Sequence, residues 1–357
     1  MDEKNITPDR QNDRNTSNEQ TSTDLGRRDM LGKVLGGAAA VAATGMLFSR
    51  EEEVLAATLA PQGTAGINVA EPDGLSGASR LYTNWAKLED LKKKMVKADL
   101  CGLKISRILM GGNLIGGWAH ARDLIYVSDL VKAYHTREKI YATFQMGEAC
   151  GINTYLGSSS HIGFVTDYWE KKDGKLLFIP QCYEVEDALH CAKLGASACY
   201  VQGETGDRLA REGKLDEFKR FLDAVREQGL PAGIGGHRLE TLQACVAEGI
   251  IPDFWMKTFH SGNYWSRRPG EPEHDNVFCR EPQETMAFMA DRPEPWIAFK
   301  VLAAGAIKPQ DGFRFAFEGG ADFLCVGMYD FQVVDSVNIC MDVLDSQLNR
   351  NRDWRGG

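Results

Sequence analysis

Glu204, His237 and His260 are the residues of this 357-residue chain whose types most directly suggest chemistry. Two imidazoles and a carboxylate form a known ligand set for zinc or manganese, and they leave coordination positions for water or substrate. Lys257 and Lys300 fall at or near the ends of two strand-like runs. A lysine turned into a protein interior is desolvated, which lowers its pKa and permits general-base or Schiff-base chemistry, with Glu204 as a further acid/base. The alternative for these lysines is a plain ion pair with Glu204 or Asp330. Gln181 and Gln202 offer amide groups to a substrate. Trp118, Tyr155, Phe259, Tyr264, Trp265 and Tyr329, with Asp330 beside the last, suit stacking on pyranose rings, or equally packing beneath long loops. His237 has a second reading as a helix cap and His260 as a packed loop residue.

These residues need elements that bring them to one place. The runs Ala198–Gln202, Pro231–Gly235 and Pro252–Met256 are apolar and strand-like, and helical segments at Lys214–Gln228 and Leu239–Glu248 separate them. Such alternation builds a parallel sheet, whose ligands bind beyond the carboxyl ends of the strands. The polar residues fall at those ends. The pattern extends both ways, with strands expected at Ile105–Met110, Ile152–Leu156, Leu176–Gln181, Trp296–Leu302 and Phe323–Gly327, most of them followed by a helix. Eight such units in this length predict a (β/α)8 TIM barrel. Gly151, Gly195, Gly229, Gly249 and the Gly319-Gly320 pair stand where C-terminal helix caps are needed. The Gly111–Gly117 stretch is glycine-rich but opens no helix at once, so it is not a dinucleotide fingerprint.

With 43% hydrophobic and 25% charged residues, the composition is globular, and a net charge of −9 argues against nucleic acid as a partner. Nine cysteines without a CxxC pair read as buried thiols. The first 57 residues stand apart. A polar stretch precedes Gly26-Arg27-Arg28-Asp29-Met30-Leu31-Gly32-Lys33 and an apolar run from Val34 to Phe48, too short and glycine-interrupted for a stable membrane span. This leader resembles a twin-arginine signal, with Arg27 and Arg28 as the recognised pair. The resemblance implies export to the periplasm through the twin-arginine translocase. Residues 58–81 read as a linker, and 82–357 as one barrel domain.

Ile105-Ser-Arg-Ile-Leu-Met-Gly-Gly, Met146-Gly-Glu-Ala-Cys-Gly-Ile-Asn-Thr and Ala321-Asp-Phe-Leu-Cys-Val-Gly-Met resemble the first strand, the passage into the second strand and the last strand of the aldo-keto reductase superfamily. The resemblance implies a barrel with NAD(P) bound near the last strand and a catalytic tetrad of Asp, Tyr, Lys and His. The corresponding positions here hold Leu156, no nearby tyrosine before Tyr168, Gln181 and Gln202. The fold analogy does not bring reductase chemistry with it. Three readings stand: an exported barrel enzyme performing metal-assisted isomerase, lyase or hydrolase chemistry on a small polar substrate such as a carbohydrate; a divergent NAD(P)-binding oxidoreductase; and a barrel that binds a ligand without chemistry.

Overall fold

Along eight short strands, alternate side chains divide between two apolar layers, and this division organises the computed structural model, which describes residues 85–119, 124–264, 267 and 279–356. The expectations for the leader and the linker, Arg27 and Arg28 included, and for Trp265 lie outside the described residues. The strands are β3 (Ile108–Gly111), β4 (Thr154–Ser158), β5 (Leu177–Cys182), β6 (Cys199–Val201), β7 (Ala232–Gly236), β8 (Phe254–Thr258), β9 (Trp296–Phe299) and β10 (Phe323–Val326). All pair in parallel, and β10 closes onto β3 through Leu324 opposite Ile108 and Val326 opposite Met110. The chain is a closed (β/α)8 barrel, as the strand count predicts.

The helices are α1 (Val127–Tyr134), α2 (Arg137–Ala149), α3 (Ile162–Lys172), α4 (Val185–Lys193), α5 (Gly203–Arg211), α6 (Asp216–Glu227), α7 (Leu239–Ala247), α8 (Pro282–Ala290), α9 (Pro309–Glu318) and α10 (Val333–Asp345). Each buries one stripe. In α6 that stripe is Phe218, Phe221, Leu222 and Val225, the i, i+3, i+4, i+7 spacing that faces a sheet. The caps also follow local chemistry. Thr136 accepts the Lys139 N–H at the start of α2, and Gly151 beyond its end takes φ +91°, which a side chain would strain. None of the described helices is long and apolar enough to cross a membrane.

Three elements differ from expectation. Ile105 and Ser106 belong not to the first barrel strand but to β2 (Leu103–Ser106), which pairs antiparallel with β1 (Lys97–Leu100). The hairpin turns at Cys101 and Gly102, both at positive φ (52° and 91°), which matches the right-handed twist of the two arms. Its apolar residues Ala98, Leu100 and Ile105 join the lumen cluster of Leu109, Leu156, Ile179, Phe254 and Ile297, so the hairpin plugs the amino-terminal end of the barrel. The helix α1, in the long connection after β3, and the helix α5, directly after β6, are the other two.

The carboxyl-terminal tail crosses the same end. Asp322, 0% exposed, forms ion pairs with Arg350 and Arg352 and accepts backbone N–H groups from Trp296 at 3.0 Å and Arg355 at 2.8 Å. Arg107 and Arg350 stack on Trp354, their guanidinium carbons 4.0 and 3.3 Å from its ring centroid.

Candidate active site

The lower lumen is apolar, and polarity begins at the carboxyl ends of the strands. Gln181 continues the inward series of Leu177 and Ile179 on β5, and the Tyr200 hydroxyl donates to its Oε1 at 3.3 Å. Gln202 ends β6, but its Oε1 accepts the Thr205 N–H at 2.8 Å, so part of its amide serves as the cap of α5. Cys325 is a half-buried thiol on β10 packed against the lumen cluster, its pKa pushed up to about 12 by burial. His237 and Lys300 follow β7 and β9, both half-buried.

His237 is held by a carboxylate, though not the expected one. Because α5 starts at Gly203, Glu204 lies in its first turn and points to solvent, whereas Asp207, three residues on, is buried against β7. Asp207 accepts four hydrogen bonds: from the His237 backbone N–H (3.1 Å), its Nδ1–H (3.0 Å), the Arg238 N–H (3.2 Å) and the Thr241 hydroxyl (2.6 Å). Burial raises the Asp207 pKa, but the bonds from His237, Thr241 and Arg238 together outweigh it and hold the carboxyl below its usual value. An ionised Asp207 requires the proton of neutral His237 on Nδ1, which makes Nε2 the basic nitrogen. Burial first, then the nearby charges of Lys300 and Lys257, lower the His237 pKa against the opposing pull of Asp207. The Phe299 ring lies 5.4 Å from the imidazole.

The other expected residues divide. The Glu204, His237 and His260 ligand triad is not assembled: among the described residues no group of three or more His, Cys, Asp or Glu side chains is placed to hold a metal. Glu204 points away, and His260 spends both ring nitrogens on its own loop, donating from Nδ1 to Ser261 O at 2.9 Å and accepting the Cys279 N–H on Nε2 at 3.1 Å. Lys257 is buried but shares the parity of Trp255 and Phe259, which pack on the helix side. It does not point into the lumen. Its Nζ donates to His237 O (2.7 Å), Thr258 O (2.9 Å) and Thr258 Oγ1 (3.1 Å), while burial lowers its pKa. Lys300 stands at φ +57°, and Ala303 and Ala304 follow at +45° and +55°. Strain of this kind, about 1–3 kcal/mol per residue, gathers where a loop must hold a fixed functional shape.

The aromatic wall is also rearranged. Tyr155 and Phe259 face the helix layer, packed respectively on Phe144 and Phe178 and on Trp296 and Phe315, because neighbouring strand residues point to opposite sides. Trp118 is 60% exposed on the loop after β3, and the Tyr264 ring sits 6.0 Å from that of His260. Tyr329 stacks on His135 at 5.2 Å. Asp330 accepts from the Tyr134 hydroxyl at 2.5 Å and from Lys139 Nζ at 2.8 Å. A nicotinamide dinucleotide phosphate would need cations after the last strand. The carboxylate of Asp330 stands there, already paired with the Lys139 ammonium.

Sequence reasoning missed Asp207 as the partner of His237, and it missed His161, in the turn after β4. The Tyr155 hydroxyl lies 2.7 Å from His161 Nδ1. Burial pushes both His161 and His260 down to about 4, against about 6.5 in an unfolded chain. Between these values the unfolded chain binds protons that the native state refuses, so native stability falls as pH drops from about 6.5 toward 4, by roughly 3 kcal/mol for each histidine. Urea midpoints measured across that window should show the decline, and a flat profile would contradict neutral burial.

No family model matches the chain, and no curated protein matches it. Among solved structures, it is similar to a protein assigned as an aldo-keto reductase in Pseudomonas aeruginosa, with a TM-score of 0.51 and 13% identity over 71% of this chain and 98% of that one. A glycerol dehydrogenase from Gluconobacter oxydans (TM-score 0.43, 11% identity, 68% of this chain, 89% of that one) is more distant. So is a truncated 3-deoxy-D-arabino-heptulosonate 7-phosphate synthase from Thermotoga maritima (TM-score 0.42, 12% identity, 71% and 93%). At such identities the likeness shows the architecture alone: this chain is a (β/α)8 barrel of the general kind that aldo-keto reductases share.

Proposed function

We propose that the barrel mouth is the active site of an enzyme that moves protons on a small polar carbonyl compound, most simply a short carbohydrate, with His237 as the acid/base. The observation that carries this reading is the fourfold clamp on Asp207, which fixes the His237 backbone and ring together and leaves Nε2 basic. Lys300 supplies a positive charge near the imidazole, suited to a substrate oxygen that gains negative charge as a proton leaves. Gln181 and Gln202 line the approach. Isomerase or lyase chemistry needs this set. Plain glycoside hydrolysis asks for two carboxylates across the bond, and Asp207 is committed to His237.

Incubating the full-length protein with short aldoses and ketoses in D2O, and following deuterium incorporation by NMR, tests the reading. Wild type should catalyse exchange, and His237→Gln should slow it by about 10²–10⁴-fold. No exchange with any of the sugars would sink the proposal in favour of a ligand-binding barrel, and absorbance from a co-purified nicotinamide would revive the oxidoreductase reading.

We further propose that the protein reaches the periplasm by the twin-arginine route, supported by Arg27, Arg28 and the apolar run that follows them. Replacing both arginines by lysine should leave folded protein in the cytoplasm; unchanged export in a fractionation assay would refute it.

A further inference from the structure

We propose that His161, in the turn after β4, is a binding group at the carboxyl edge of the barrel beside Gly116 and Trp118, a neutral imidazole that donates its Nε2–H to the carbonyl oxygen of a small ligand. This rests on the reading of the mouth as a site for a small carbonyl compound, and adds a residue on the β4 side of the barrel to His237 after β7.

The tautomer follows from Tyr155. Its ring is fully buried, and among the described residues its hydroxyl has one hydrogen-bond partner, His161 Nδ1 at 2.7 Å. Were the proton on Nδ1, the tyrosine O–H would be left without an acceptor in the core. With Nδ1 as acceptor both groups are satisfied, and the imidazole proton must sit on Nε2. Burial also keeps the ring uncharged at neutral pH, since His161 is pushed down to about 4. Among the described residues Nε2 has no hydrogen-bond partner.

The surroundings favour a small oxygen ligand. Three glycines wrap the pair: a Cβ on Gly112 would come 2.8 Å from the Tyr155 hydroxyl, one on Gly157 2.8 Å from Nδ1, and one on Gly116 3.0 Å from Nε2. The same Gly116 position lies 2.9 Å from the Trp118 ring, so only glycine there lets the exposed indole and the Nε2 edge approach one spot. A carbonyl oxygen on Nε2–H with its carbon chain against Trp118 uses both surfaces. A neutral imidazole suits a carbonyl oxygen, because it donates a hydrogen bond without first attracting an anion.

The test uses full-length protein labelled with 15N-histidine. Long-range proton–nitrogen spectra at pH 7 should show His161 protonated on Nε2 alone, and Tyr155→Phe should relax it toward a mixture of tautomers. Adding dihydroxyacetone or glyceraldehyde should shift the His161 Nε2 signal saturably in the wild-type protein, a binding readout that needs no proton transfer by His237. His161→Phe should weaken dihydroxyacetone binding about tenfold, the worth of one hydrogen bond, with Tyr155→Phe as the milder variant if that protein does not fold. A proton on Nδ1, or a signal that moves with inorganic phosphate but with neither sugar, would overturn the proposal.

Discussion

Asp207→Asn should lower proton exchange by about 10²–10⁴-fold while leaving the barrel folded. The substitution keeps the size of the side chain but replaces an acceptor-only carboxylate by an amide that also donates. Four donors now converge on Asp207, among them the His237 Nδ1–H and the Thr241 hydroxyl. An asparagine can accept from only part of that set, and its amino group would meet the imidazole best with the proton moved to Nε2. The base would then be lost although every atom of His237 remained. The linkage sign is that of a depressed acid. Because Asp207 is held below its usual value, its native contacts stabilise the fold above the unfolded carboxyl pKa, and that contribution is lost as pH falls through the lowered native one. Rate and tautomer should therefore change together in the variant. Exchange within threefold of wild type would remove Asp207 from the mechanism.

Asp322→Ala should destabilise the barrel by about 3–5 kcal/mol, read as a lower urea midpoint. The carboxylate is fully buried, and the side chain of its partner Arg352 is 2% exposed. Removing the acid leaves that guanidinium buried without its counter-charge, which costs more than the pair itself contributes. Backbone N–H groups of Trp296 and Arg355 lose their acceptor as well. Arg352 still donates to the Gly320, Met289 and Arg292 carbonyls, so the tail should loosen without detaching. A change below about 1 kcal/mol would mean that water replaces the carboxylate, as at an exposed pair.

The barrel was legible in the sequence because its signals are local and repeated: apolar runs of strand length, glycines after helices and short connections. The hairpin was not, since arms of four residues around Cys101-Gly102 lack the usual Asn-Gly turn and Ile105 runs on directly toward the first barrel strand. The site was legible to the level of strand ends and no finer. Gly203 and Gly206 in the first turn of α5 hide the helix, for glycine is a poor helix former. Packing demands them all the same: a Cβ on Gly206 would lie 2.2 Å from Gly235 O, and one on Gly203 would lie 3.0 Å from the His237 ring. Without the helix, Glu204 and Asp207 cannot be told apart. Lys257 failed for a different reason. A shift of one position along a strand exchanges lumen for helix layer, and the end of β8 cannot be read to that accuracy from an apolar run.

The plug at the amino-terminal end has a kinetic corollary. With the hairpin filling the lumen from below and the tail bound across that end, whatever reaches His237 arrives and leaves by one doorway. Reactant and product cannot pass in file through the barrel, so each must vacate the mouth before the other enters. On the proposed reading, product release through that doorway would set the pace alongside the chemistry.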